Sequence, residues 1–184
     1  MAGAEGGETA GGSGRGGRPA PRAIRPARPG EAAALHALTE RSTLHWGYEP
    51  EFLDFEPGAL AVDEAFLAAH DVHVLEEGGR VVGYHALKGA PPELQLDKCF
   101  VEPDRIGTGC GRLLWEHAAA RARERGATAL FFWADPHAAP FYRAMGAVWQ
   151  REEPTDWPGF VLQVFRFPLP AAAAAPENGA PGTA

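Results

Sequence analysis

The chain has 184 residues, 45% hydrophobic and 22% charged, with a formal net charge of −7; that length suits one globular domain with a sizeable core and leaves no room for a second. The negative charge argues against a nucleic-acid or anionic-membrane partner and favours a cationic small molecule. Two cysteines, Cys99 and Cys110, lack metal-ligand spacing and read as free thiols in a reducing, cytoplasmic setting.

Residues 1–21 are rich in Gly, Ala and Arg without periodicity, and residues 170–184 form an Ala/Pro/Gly tail. Both are expected to be disordered, since neither buries enough apolar surface to offset its ordering entropy. No secretory signal opens the chain, and its longest apolar run, Ala171 to Ala175, is too short to cross a membrane. Residues 22–169 are left as the folded domain. Ala23 to Ala27 predicts a short edge strand, and Pro29-Gly30 leads into a helix from Glu31 to about Leu44 with Leu35 and Leu38 on one face. A second helical stretch covers Pro50 to His70, broken at Pro57-Gly58. Asp71–Glu76 and Arg80–Leu87 flank Glu77-Gly78-Gly79, a hairpin signal, and Glu93 to Val101 is the next strand. Leu114, Ala118 and Ala122 recur at one-turn spacing in a helix from Gly109 to Arg125, which Gly126 ends. The run Ala129–Ala134 is continuously apolar, as in a strand buried on both faces. A strand, a helix and a strand in this order imply a parallel, right-handed unit. Val148–Arg151 and Val161–Phe167 close the domain as a hairpin, so the class is α/β with a mixed sheet.

Between the strand ending at Val101 and the following helix lies Ile106-Gly107-Thr108-Gly109-Cys110-Gly111-Arg112. Alternating glycines let the backbone turn sharply and approach a ligand, while the first helical turn offers N–H groups without intrahelical partners. The site suits a pyrophosphate. A dinucleotide fingerprint requires a third glycine where Arg112 stands, and a Walker A loop requires Gly-Lys-Ser/Thr where this loop ends Gly111-Arg112-Leu113. The loop instead resembles the acyl-coenzyme A loop of the GNAT superfamily of N-acetyltransferases, Gln/Arg-x-x-Gly-x-Gly/Ala. Ile106, Gly109 and Gly111 fall on that pattern, with Ile106 replacing the opening polar residue and Arg105 one place earlier. The stretch Ala134 to Ala147, carrying Phe141-Tyr142 and closing on Met145-Gly146, resembles the second signature of the family. The similarity covers roughly Arg22 to Leu169.

The resemblance implies a GNAT acyltransferase fold: a central mixed sheet whose parallel fourth and fifth strands splay apart, with flanking helices. It implies acetyl-CoA as acyl donor, with no metal. The pantetheine arm would pair with the backbone of Cys99, Phe100 and Val101, and the pyrophosphate would rest on Ile106, Gly107, Thr108, Gly109, Cys110, Gly111 and Arg112. His137 and Phe141 are expected beside the cofactor, and Tyr142 as general acid toward the departing thiolate. The implied reaction is acetyl transfer to the primary amine of a small molecule by direct attack in a ternary complex. Period-two alternation puts Glu93, Gln95 and Asp97 on one face, so Asp97 is the expected base, with Glu93 in reserve on the substrate side and ordered water as the alternative. Asp135 is expected to cap a helix beginning at Pro136. Two aromatic-rich loops, 44–48 and 155–160, are expected to bring His45, Trp46, Tyr48 and Trp157 to the acceptor. Plain packing for Phe141, Tyr142, Trp46 and Trp157, and solvent exposure for His137, are the competing readings of those side chains. The other histidines, His70 and His73 among them, show no metal-ligand spacing. Two other functions stay open: a non-catalytic acyl-coenzyme A sensor, and transfer to a protein N-terminus or lysine. A homodimer is compatible with each.

Overall fold

Gly78 and Gly79 both take positive φ (60° and 85°), which turns Asp71–Glu77 (β2) back onto Arg80–Lys88 (β3) in an antiparallel hairpin. The computed structural model describes residues 20–54 and 58–170, so the expectations for residues 1–19 and 171–184 lie outside the described residues. Arg22–Pro26 (β1) pairs with β2 at one edge, and Glu93–Val101 (β4) pairs with β3 on its other side. Ala129–Ala134 (β5) runs parallel to β4, and Val148–Pro154 (β6) and Val161–Pro168 (β7) complete one seven-stranded sheet in the order β1-β2-β3-β4-β5-β7-β6. The expected mixed sheet is therefore present, with its single parallel pair at the centre.

Helices cover both faces. Ala32–Leu44 (α1) and Glu64–Ala69 (α2) lie on one side, where Leu35 and Leu38 pack with Val72, Val74 and Tyr84. Cys110–Glu124 (α3) and Ala139–Ala144 (α4) lie on the other, where Trp115, Ala118 and Ala119 join Leu94, Leu96, Phe132 and Phe165. Among the described residues the expected second helical stretch resolves into a 3₁₀ turn, Pro50–Asp54, and the short α2, and the expected break at Pro57 lies outside the described residues. No helix among the described residues is long and apolar enough to cross a membrane.

The feature that positions the site is a parting of β4 from β5. They pair only at Glu93↔Ala129, Leu94↔Leu130 and Gln95↔Phe131, although both strands run on beyond. Opposite this point the β3–β4 register slips: Ala86 pairs with Lys98 and Leu87 with Leu96, which leaves Asp97 as the extra residue of a β-bulge. A bulge bends its strand, and β5 stays straight against β7 from Ala129 to Ala134, so the two diverge. One consequence corrects the reading of β5 as buried on both faces, since Trp133, on the diverging part, is 39% exposed.

Candidate active site

The V between β4 and β5 opens into a cavity of about 540 Å³, walled by Cys99, Phe100 and Val101 on one side and by Trp133 and Ala134 on the other. Its rim is the glycine loop. Gly107 and Gly109 take positive φ (78° and 89°), a conformation that a side chain strains, whereas Gly111 is already helical. The first intrahelical bond at this end runs from the Leu113 N–H to the Gly109 carbonyl, 3.1 Å. The N–H groups of Cys110, Gly111 and Arg112 therefore have no acceptor within the helix and point out of its positive end. Arg22 reaches across from β1 and donates to the Thr108 carbonyl at 2.9 Å, which fastens the loop to the sheet edge.

Side chains along the loop divide by direction. Ile106 and Arg112 line the cavity, and Arg112 makes no ion pair among the described residues. Cys110 is fully buried with Leu75, Val82 and Leu114, and the Thr108 hydroxyl donates to the Arg105 carbonyl at 2.8 Å. Neither of those two expected cofactor contacts lines the cavity. Arg105 is paired to Glu77 and Asp104.

Phe141, Tyr142 and His137 enter the cavity from α4 and the turn before it. Tyr142 is buried and its hydroxyl interacts with the Cys99 sulfur. Burial, reinforced by that sulfur, holds the phenol well above its ordinary pKa. Burial also pushes the Cys99 thiol up to about 12, against the lowering effect of Tyr142. Trp46, from the end of α1, stacks on His137 with ring centroids 5.3 Å apart.

A second cavity, about 470 Å³, opens on the α1/α2 face and shares Thr43, Leu96, Asp97, Phe100, Trp133 and Asp135 with the first. The two are halves of one passage through the sheet. Asp97 sits at the junction, with Oδ1 accepting from Lys88 at 2.9 Å and from Gln95 at 3.0 Å, and Oδ2 accepting from Lys98 at 2.7 Å. Burial alone would raise its pKa; the two lysines outweigh that and leave it lowered. Asp135 is held by a 2.8 Å bond from the Tyr48 hydroxyl and by the His137 N–H at 2.7 Å. The helix it was expected to cap begins at Ala139 instead of Pro136, so Asp135 caps the turn that precedes α4.

A glycine-rich strand-loop-helix turn, a parted parallel pair and a buried tyrosine beside the gap coincide in one passage. The profile of the acetyltransferase (GNAT) family matches residues 34–147. The chain belongs to the GNAT family. Solved structures agree on the fold. A GCN5-related N-acetyltransferase from Rhodopseudomonas palustris is 27% identical, with a TM-score of 0.65 over 80% of this chain and 95% of that one. A putative acetyltransferase from Salmonella typhimurium, solved with its cofactor acetyl-CoA, is 20% identical, with a TM-score of 0.63 over 84% and 98%. The PaiA N-acetyltransferase from Thermoplasma acidophilum, in complex with coenzyme A, is 13% identical, with a TM-score of 0.68 over 80% and 99%. No curated protein matches the sequence.

Within this GNAT domain the residues expected on the acceptor side separate. Glu93 lies at the closed end of the V, bonded to Arg166 at 2.7 Å, and lines neither cavity. His45 is exposed and packs edge-on against Trp46. Tyr48 and Trp157 meet around Phe52: Tyr48 stacks on it at 4.1 Å and Trp157 lies edge-on at 5.4 Å. Phe52 and Phe160, not Trp157, face the second cavity. Sequence reasoning passed over Trp133 and Glu153, which also line it. Trp133 was hidden in an apolar run, and the exposed β6 on which Glu153 stands carried no motif.

Proposed function

We propose that the protein transfers an acetyl group from acetyl-CoA to the primary amine of a small molecule by direct attack. The observation that carries this reading is the passage itself, which has an anion-binding helix start at one rim, an unpaired strand edge along its wall and a protonated tyrosine within. The free edge of β4 from Cys99 to Val101 offers N–H and C=O groups to the pantetheine amides, and the N–H groups of Cys110, Gly111 and Arg112 face the pyrophosphate. The Arg112 guanidinium adds charge at the same place. When bound, acetyl-CoA supplies a thioester carbonyl carbon for the amine to attack.

Tyr142 then gives its proton to the departing sulfur. Its raised pKa keeps that proton in place across neutral pH. Cys99 stands beside it, but a thiol with a pKa of about 12 is almost wholly protonated at neutral pH, so it is a poor acyl carrier and a ternary-complex route is favoured. On the other side of the sheet, Asp97, Asp135 and Glu153 give the acceptor cavity carboxylates, of which Asp97 is paired with Lys98, the one lining cation among the described residues, and Phe52, Phe100, Trp133 and Phe160 give it aromatic walls, which suits an ammonium on an apolar body. An alkylamine has a pKa of about 10 and must lose a proton before attack. Asp97 receives it only in passing to water, because Lys88 and Lys98 hold the carboxylate in its ionised form.

Acetyl-CoA turnover with thiol release as readout, across polyamines, arylamines, aminoglycosides, amino acids and peptides, tests the proposal. Turnover of small amines is expected. Turnover confined to peptide N-termini or lysines would replace the substrate class. The capture of both Asp97 oxygens favours one second reading, an acyl-CoA sensor, which cofactor binding without turnover of any amine would support.

A further inference from the structure

Pairing of β2 with β3 places His73 directly opposite His85, and α3 crosses above them with His117 on its inner side. One ring nitrogen from each of the three lies within 4.8 Å of the other two. His85 Nε2 and His117 Nδ1 are 2.8 Å apart, and the His73 ring stands 4.7 Å from that of His117. His85 is fully buried and His73 nearly so, while His117 is half-buried and gives a way in from solvent. His85 Nδ1 is buried without a hydrogen-bond partner, and His73 Nδ1 has only the Asp71 carboxylate beside it, without a hydrogen bond. A buried imidazole nitrogen normally has one, so the cluster as it stands is incompletely satisfied.

We propose that His73, His85 and His117 form a three-histidine zinc site, separate from the acetyl-transfer passage, that ties α3 to the β2–β3 hairpin. Three imidazoles and a water are a familiar tetrahedral set for zinc. Zinc–nitrogen distances of about 2.0–2.1 Å put neighbouring ligand atoms about 3.3 Å apart. The closest pair here has to open by about half an ångström, and the widest to close by about 1.5 Å, both within reach of ring rotation about the existing side-chain bonds. Asp71, whose carboxylate is 3.2 Å from His73 Nδ1 and also pairs with Arg121, stands where it can hold the His73 ring once it turns onto a metal. Cys99 is the cross-strand neighbour of His85 on β4, one strand nearer to Tyr142, but it does not belong to the cluster.

The test uses full-length protein stripped of metal by a chelator. Calorimetric titration with zinc chloride is expected to show one equivalent bound, and a hundredfold excess of zinc over the dissociation constant to raise the melting temperature by about 5–10 °C. His117→Gln, at the half-exposed position, should weaken binding by more than the about 10–100-fold that loss of an outer partner costs. Its metal-free melting temperature checks that it folds. Cobalt(II) added to the wild-type protein should give the visible absorption of a tetrahedral nitrogen-ligated ion, a readout that needs no variant. Absence of stoichiometric zinc binding, undiminished binding by a folded His117→Gln protein, or a thiolate-to-cobalt band would each overturn the assignment.

Discussion

The Tyr142 phenol is buried against Trp115, Phe132 and the Cys99 sulfur, so its hydroxyl can be removed without disturbing the ring that packs there. Tyr142→Phe should lower kcat by about 10²–10⁴-fold, the range of general acid catalysis, while the affinity for acetyl-CoA stays near wild type. Equal losses in kcat and kcat/KM would mark an interaction made only in the transition state, and full turnover would remove Tyr142 from the proton path. Cys99→Ala separates direct attack from an acyl-cysteine route. With its thiol pushed up to about 12, the wild-type residue has little thiolate to contribute, and the variant should keep its turnover within a few-fold. Loss of steady-state activity together with loss of a radiolabelled acyl-protein would show that the cysteine carries the group. Asp97→Asn belongs with these tests. If the carboxylate passes the amine proton to water, kcat should fall and the rising limb of the pH–rate profile should move; an unchanged profile would leave Asp97 as the partner of two lysines and nothing more.

The start of α3 and the strands behind it carry the next constraints. An added Cβ at Gly111 would meet the Phe141 ring at 3.5 Å, an ordinary contact, and no positive φ is required there. Gly111→Ala should therefore fold and bind coenzyme A, whereas Gly111→Asp should lose affinity by about tenfold or more, because like charges brought together cost several kcal/mol. Calorimetry on the two variants distinguishes charge from shape, and equal binding by both would remove the pyrophosphate from this loop. Gly83 is constrained differently. A Cβ on it would come within 2.8 Å of the Phe100 carbonyl and 2.9 Å of Leu114, where β3, β4 and α3 press together. Gly83→Ala should cost about 1–3 kcal/mol by overpacking, read from urea denaturation, and a neutral result would mean that the β3–β4 bend yields more easily than a packed core does.

Across the molecule, ion pairs join separate elements. Arg25 on β1 bonds Glu31 at the entrance to α1 and Glu76 on β2, and Arg41 on α1 bonds Glu102 beyond β4. Glu31 has its pKa lowered, first by the Arg25 hydrogen bond and against the opposing effect of burial. For Asp97 burial acts first and upward, yet Lys98 and Lys88 leave it lowered as well. A carboxyl group with a depressed folded-state pKa binds protons more readily when unfolded. Its stabilisation is complete above the unfolded value and is lost as pH falls through the folded one. The urea midpoint should accordingly drop as pH falls from about 5 to 3. Glu31→Gln, which has no such proton to gain, should lose stability at pH 7 and show a shallower drop over that range; a slope equal to wild type would mean that the pair contributes nothing.

What the sequence by itself determined is local. The bounds of β4 and β5, the Gly78-Gly79 turn and the glycine loop before α3 are all legible, because strand alternation, helical spacing and positive-φ glycine depend on neighbours along the chain. The two motifs that resemble the GNAT pattern belong to this class. The parting of β4 from β5 was expected only through that resemblance, and its cause, a slip in register against β3 at Asp97, is not legible, since no period within β4 reveals where its partner slips. The same holds for the capture of Asp97 by Lys88 from the adjacent strand, for the burial of Cys110 among residues of β2 and β3, and for the bond of Glu93 to Arg166 on β7. His73, His85 and His117 have no recognisable ligand spacing in the chain because each comes from a different element, and only sheet pairing with α3 laid across it brings their rings together. Periodicity tells which face of an element is apolar; which side chain stands opposite is decided when the elements pack.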